Sequence, residues 1–239
     1  MNHQTGMVER QSSSLSSRRA SRYAFRQQQK LNKKKGKILS ICTQNFNGTM
    51  GEVQVEEAYL QMQRLRVGIL CGQEGRRPTS AMTRWDTNEL FIAFETENEF
   101  ENVNMKKDGN FFILSAEWKD AFVKGGKQMK RFCPRLVAIR IPISATSSLY
   151  IINIHTPDDS KPKLVRDMFA QRLEMAIGEA KSGDILVMAG DTNACTGNNT
   201  AYHDGVCGPF GDPYINSAGR ALRLIAAVHQ LLDLTTWEE

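Results

Sequence analysis

The sequence predicts an α+β fold in which two packed β-sheets are flanked by helices. Short apolar or alternating runs are broken by segments of helical period, without the strict strand–helix alternation of a wholly parallel sheet. Two neighbouring runs rich in β-branched residues, 136–141 and 149–154, are joined by a short connection at 142–148, as in a hairpin. A long amphipathic segment, 162–180, leads into a continuously apolar run at 184–189, of the kind buried on both faces.

Taken in order, residues 1–35 hold nine Lys/Arg against the single acid Glu9 and are rich in Ser and Gln. Such a segment cannot bury enough surface to offset the entropy of ordering, so a disordered basic tail is expected. It is either an inert solvated leader or an arm attracted to nucleic-acid phosphates in a salt-sensitive way. Residues 36–239 form the expected folded domain. Within it, 37–43 reads as a strand and 53–66 as a helix, with Val53, Ala58, Leu60 and Leu65 forming a rough apolar stripe. Strands follow at 67–71, 90–94, 111–114, 136–141 and 149–154. The helix at 162–180 repeats apolar residues at Val165, Phe169, Leu173 and Ile177, the strand at 184–189 follows, a Gly/Asn/Pro-rich loop spans 197–213, and 218–232 reads as a last amphipathic helix.

The formal charge of +5 is carried by the tail, which contributes +8 and leaves −3 for the remainder, so the domain itself is not basic. Five cysteines, odd in number and without a Cys-x-x-Cys pair, suggest neither a disulfide framework nor a zinc site and point to a reducing compartment. No apolar run reaches the roughly 18 residues of a membrane span, so no membrane partner is expected. Arg10, Arg18, Arg19, Arg22 and Arg26 among serines also suit an organelle transit peptide, which leaves import open.

Three apolar runs end in polar side chains that could carry chemistry. In Asp184-Ile-Leu-Val-Met-Ala-Gly-Asp-Thr-Asn-Ala194, Asp191 and Asn193 stand two residues apart just past a buried strand, where they can address one small volume. An ordinary Asp/Asn turn explains the same residues. In Leu39-Ser-Ile-Cys-Thr-Gln-Asn-Phe-Asn-Gly48, Asn45 and Asn47 are expected on one face, or in the cap region of the next helix. In Ile69-Leu-Cys-Gly-Gln-Glu-Gly75, Glu74 lies immediately beyond an apolar strand, where a hard divalent ion would compensate its charge; a solvated carboxylate is the alternative.

In this order, Asn at the first strand end, Gln-Glu at the second and Gly-Asp-x-Asn at a late one, the set resembles the endonuclease/exonuclease/phosphatase family. Asp108-Gly-Asn-Phe-Phe-Ile-Leu-Ser115 matches its glycine-led strand, and Arg135-Leu-Val-Ala-Ile-Arg140 its next core strand. Ile151-Ile-Asn-Ile-His-Thr-Pro157 matches the strand that usually ends in Tyr-Ala-Pro. Asp204-Gly-Val-Cys-Gly-Pro-Phe-Gly-Asp212, Asn216-Ser-Ala-Gly-Arg-Ala-Leu222 and Leu231-Leu-Asp-Leu-Thr-Thr-Trp237 resemble its LINE-type retrotransposon branch and the craniofacial development protein 2-like group. In that branch they are a glycine-rich loop, a helix start and a strand.

The resemblance implies a DNase I-like four-layer fold and hydrolysis of nucleic-acid phosphodiesters to leave a 3′-hydroxyl. It implies Mg2+ or Mn2+ anchored by Glu74 with Asn47 in its surroundings, and Asp191 acting on the attacking water. Asn45, Asn193 and His155 would complete the catalytic set, and Arg135 and Asn216 would contact phosphate. DNA, or else RNA, is the implied partner, a reverse transcriptase region is expected in a longer parent protein, and a nuclear rather than cytoplasmic location inside the cell is implied. The sequence departs from the family at Asn47, at His155 in place of tyrosine and at Thr192. It also stops at Glu239, before the family's Ser-Asp-His ending, so a domain truncated by roughly its C-terminal third is expected. Loss of that histidine would slow the chemistry by roughly 10²–10⁴-fold, and loss of the strands before it would leave a sheet edge and apolar faces uncovered, so a poorly stable and nearly inactive chain is expected. Two other readings keep the fold: a non-catalytic nucleic-acid-binding remnant, and a phosphatase or phospholipid phosphodiesterase.

Overall fold

The structure, a computed structural model, describes residues 39–48, 51–75, 81–84, 89–93, 109–199 and 204–237. The expected basic tail at 1–35 lies outside the described residues. Among the described residues, nine strands form two sheets. β1 (Ile41–Asn45), β2 (Ile69–Gln73), β3 (Ala81–Arg84), β4 (Leu90–Ala93) and β5 (Phe111–Leu114) make a sheet of order β1-β2-β5-β4-β3. β6 (Gln128–Cys133), β7 (Leu136–Pro142), β8 (Ser148–His155) and β9 (Asp184–Asp191) make a second sheet of order β6-β7-β8-β9. Both sheets are mixed, as the irregular strand–helix order predicts. The helices are α1 (Glu52–Leu65), α2 (Ala116–Lys124), α3 (Lys163–Gly178) and α4 (Ser217–Val228).

Strand alternation divides the apolar residues between two faces of each sheet and so builds four layers. Ile69, Cys71, Ile92, Phe112 and Leu114 of the first sheet meet Val137, Ile139, Ile141, Leu149 and Ile151 of the second in the central core, and Phe122 of α2 closes one end of it. The opposite face of the first sheet presents Leu70, Phe91, Phe111 and Ile113 to Val55, Ala58, Tyr59 and Met62 of α1, which repeat at the spacing of one helical face. The opposite face of the second sheet presents Ala138, Tyr150, Ile152 and Ile154 to Phe169, Leu173, Ala176 and Ile177 of α3 and Ile225 of α4. Among the described residues no helix is long and apolar enough to cross a membrane.

Several boundaries differ from the sequence reading. The first strand is Ile41–Asn45 rather than 37–43, because its ladder is set by pairing Ile41 through Asn45 with Ile69 through Gln73. The helix at 116–124 went unforeseen: its buried face rests on Phe122 and half-buried Trp118, too few apolar positions to register as a period. β6 went unforeseen because Gln128, Met129 and Lys130 face solvent on an edge strand. The last helix ends at Val228 rather than at 232, followed by Gln230 in the left-handed region at φ 56°. The segment expected as a strand at 231–237 holds one turn of 3-10 helix, Leu234–Thr236, with Asp233 accepting the Thr235 N–H at its start.

Each sheet contains one parallel pair joined by a helical crossover: β1-α1-β2 and β8-α3-β9. A parallel pair delivers both strand C-termini to the same edge. The two pairs pack so that β9 of the second sheet lies against β1 and β2 of the first, which places four strand ends at one rim of the sandwich.

Candidate active site

Register fixes what arrives at that rim. Asn45 pairs with Gln73 at the end of the first parallel pair, with Glu74 next along the chain, and His155 pairs with Asp191 at the end of the second. Asn45 Nδ2 donates to Glu74 Oε1 at 3.2 Å and to Asp191 Oδ2 at 3.0 Å. One amide group therefore bridges two carboxylates drawn from different sheets. His155, buried on β8, has Nε2 3.7 Å from Glu74 Oε1, too long for a hydrogen bond but close enough for an ion pair when the ring is protonated.

Two matching turns hold the bridge. Asn45 Oδ1 accepts the Asn47 N–H at 2.9 Å, and Asp191 Oδ1 accepts the Asn193 N–H at 3.1 Å. Each is a side-chain turn of the kind expected for Asn and Asp at a strand end, and Asn47 and Asn193 take left-handed φ values of 47° and 45° to close it. The bond from the Asn47 backbone also fixes the amide orientation, since it requires the oxygen of Asn45 there and so turns the NH2 toward the carboxylates. The turn and site readings of these residues thus describe the same atoms: one oxygen of each side chain makes the turn, and the other polar atom faces the rim.

Glu74 is itself left-handed, at φ 57°, a conformation that glycine and asparagine adopt more readily. Its turn is secured by neighbours, the Gly48 N–H donating to Glu74 O at 3.3 Å and the Gly75 N–H to Gly109 O at 2.8 Å. Gly190, at φ 151°, allows β9 to approach β8 just before Asp191; a Cβ there would lie 1.9 Å from Ile154 O.

The structure shows how four of the residues assigned from strand alternation or resemblance are held. Asn47 does not share a strand face with Asn45, because β1 has ended and the chain has turned; its backbone serves the site by holding Asn45. Asn193 likewise orients Asp191 through its N–H, while its side chain donates to Thr156 O at 2.8 Å. Asn216 is not placed as a phosphate ligand: Oδ1 caps α4 by accepting from Gly219 N at 2.7 Å and also accepts from Cys195 N, while Nδ2 donates to Asn193 O at 3.1 Å. It holds the loop that follows Asp191. Arg135 sits half-buried in the turn between β6 and β7, its Nη1 3.5 Å from His155 O and its own carbonyl accepting the His155 N–H at 2.9 Å. It is therefore adjacent to the site through His155.

Gln73, Asn110 and Asn153, all fully buried, lie within the motifs read from the sequence but were given no role there. The signal was present, an amide inside or beside an apolar run, but alternation alone does not say whether such a residue faces solvent or the partner sheet. A second buried polar group, Arg223 of α4, donates Nε and Nη2 to Asp204 at 2.6 and 3.0 Å and Nη1 to Thr196 O and Asn198 O, tying the loop after β9 to the helix.

Among the described residues no group of three or more His, Cys, Asp and Glu side chains forms an all-protein metal cage. Two carboxylates joined by a neutral amide nonetheless suit a hard divalent cation. Magnesium takes one or two protein carboxylates and keeps much of its water, and the bridged pair carries negative charge that the Asn45 amide only partly offsets.

No protein-family model matches the chain, and no curated protein matches it. Among solved structures it is similar to the AP endonuclease LMAP from Leishmania major, at 14% identity and a TM-score of 0.49 over 80% of this chain. It is similar to an AP endonuclease from Archaeoglobus fulgidus at 15% identity and a TM-score of 0.49, again over 80%. The chain spans 66% and 70% of the lengths of these two chains. It is also similar to D. rerio TDP2 complexed with a single strand DNA product, at 16% identity and a TM-score of 0.40, over 65% of this chain and 60% of that one.

Proposed function

We propose that the chain is a divalent-metal-dependent phosphodiesterase of the retrotransposon-endonuclease type, acting on nucleic-acid phosphodiesters. The observation that carries this reading is the convergence of Glu74 and Asp191 on the single amide of Asn45 at the joint rim of both sheets.

Glu74, with Asp191 beside it, would hold magnesium or manganese. A bound divalent ion supplies neutralisation of the charge that accumulates on the phosphate oxygens. Asp191, fixed by its turn bond to Asn193, aligns and deprotonates the attacking water, whose oxygen forms a new bond to phosphorus as the bond to the 3′ oxygen breaks. The departing 3′ oxygen takes a proton from solvent. Asn45 keeps Asp191 and Glu74 in fixed relation, and His155 and Arg135 present nitrogen donors at the same corner for the phosphate.

Metal binding and cleavage are measured separately. Mn2+ binding followed by electron paramagnetic resonance should weaken at least about tenfold in Glu74→Gln and in Asp191→Asn. Supercoiled plasmid should be nicked with Mg2+ to give ends that a polymerase can extend, and neither variant should nick. Binding of DNA and Mn2+ without nicking would favour the non-catalytic reading, and hydrolysis of an inositol phosphate but not DNA the phospholipid-type one. Mn2+ affinity unchanged by both substitutions would end the proposal.

A further inference from the structure

At the rim end of the core between the two sheets, three buried amides join the layers. Gln73 Nε2 donates to Asn153 Oδ1 at 2.8 Å, to Cys71 O at 2.9 Å and to Thr43 Oγ1 at 3.1 Å. Asn153 Nδ2 crosses back to the first sheet, donating to Gly72 O at 3.0 Å and Phe111 O at 2.9 Å. Asn110 Nδ2 donates to Asn153 O at 2.9 Å and Arg135 O at 3.0 Å. Gln73, Asn110 and Asn153 have no solvent exposure.

Apolar contact between sheets is non-directional and tolerates sliding, whereas a buried amide deprived of its partner keeps its full desolvation penalty, so amide bonds fix one alignment. Their place in the chain gives that alignment a use. Gln73 immediately precedes Glu74, Asn153 lies two residues before His155 on the same strand face, and Asn110 holds the carbonyl of Arg135, which in turn accepts the His155 N–H. We propose that Gln73, Asn153 and Asn110 form a positioning bridge that sets Glu74 of the first sheet against His155 and Asp191 of the second. This inference rests on the metal-site reading above. The bridge does not touch substrate; it determines where the first carboxylate stands, and it supplies the rigid neighbours that keep Glu74 in its left-handed turn.

The test is Mn2+ affinity of the full chain by electron paramagnetic resonance, with thermal stability measured in parallel. Gln73→Met keeps the length of the side chain and removes its donors; Ile141→Val, deep in the same core at the far end of β7, serves as a control for general loosening. The expected result is a weakening of Mn2+ binding of about tenfold in Gln73→Met and none in Ile141→Val. Should Gln73→Met not fold, Thr43→Val removes one partner of Gln73 at the periphery and is expected to weaken Mn2+ binding about two- to threefold. Wild-type affinity in the Gln73 variant, or in Thr43→Val where that variant is used, overturns the bridge, as does an equal loss in Ile141→Val. If the wild-type chain shows no Mn2+ binding sensitive to Glu74→Gln, the metal-site reading itself fails and the inference falls with it.

Discussion

Asn45 and Asp191, 146 positions apart, are joined by a 3.0 Å hydrogen bond across the seam between the two sheets. Each also closes a turn with the backbone N–H two residues ahead, so the bond couples two strand-end turns as well as two side chains.

Replacing Asn45 with Ala removes a donor shared by Glu74 and Asp191 and leaves two carboxylates facing each other. Without metal the variant should lose about 1–2 kcal/mol of stability. Added Mg2+ should restore more of its thermal midpoint than it adds to the wild type, because the cation replaces the missing positive end of the amide. Equal Mg2+ responses in the two proteins, measured by circular dichroism, would contradict the bridging role.

Gly190→Ala should be among the most damaging single substitutions in the chain. The added Cβ meets backbone, Ile154 O at 1.9 Å, and the φ of 151° disfavours any side chain. A loss of more than about 3 kcal/mol in urea unfolding is expected. Near-wild-type stability would show that β9 reaches β8 differently.

Asp204 yields a pH dependence. The hydrogen bond from Arg223 is the main cause holding its carboxyl below the ordinary value of 3.8, and the Val206 N–H assists. Since the folded pKa lies under the unfolded one, the associated stability is fully present above 3.8 and is lost as pH falls through the lower folded value. Asp204→Asn should therefore be less stable than wild type at pH 7, by a gap that narrows below about pH 4. Urea titrations between pH 7 and 3 that find a constant gap would refute this origin.

Much of the architecture follows from the order of residues along the chain. Apolar runs fix β2, β5, β7, β8 and β9, helical period fixes α3, and the mixed strand–helix order excludes a wholly parallel sheet; α1 forms where expected but buries Val55, Ala58, Tyr59 and Met62, while Val53, Leu60 and Leu65 of the expected stripe are exposed. The same runs ending in Asn45, Glu74 and Asp191 single out the residues that meet, because a polar side chain just past a buried strand has only the rim of the sheet to occupy. Local signals were weak where burial is one-sided: β6 lies at a sheet edge and α2 buries few side chains, so neither leaves a clear period.

Only the tertiary structure decided how those side chains are used. Sequence places Asn47, Asn193 and Asn216 near the chemistry, yet left-handed turns and a helix cap commit them to holding other residues, since backbone φ beyond a strand end is not written in alternation. The buried amides of Gln73, Asn110 and Asn153 look along the chain like interruptions of strands, and they acquire partners only when two sheets close over them. Periodicity is a property of neighbouring residues and survives in the sequence. The hydrogen bond between Asn45 and Asp191 depends on how one sheet lies on the other, a relation between residues far apart that no local pattern encodes.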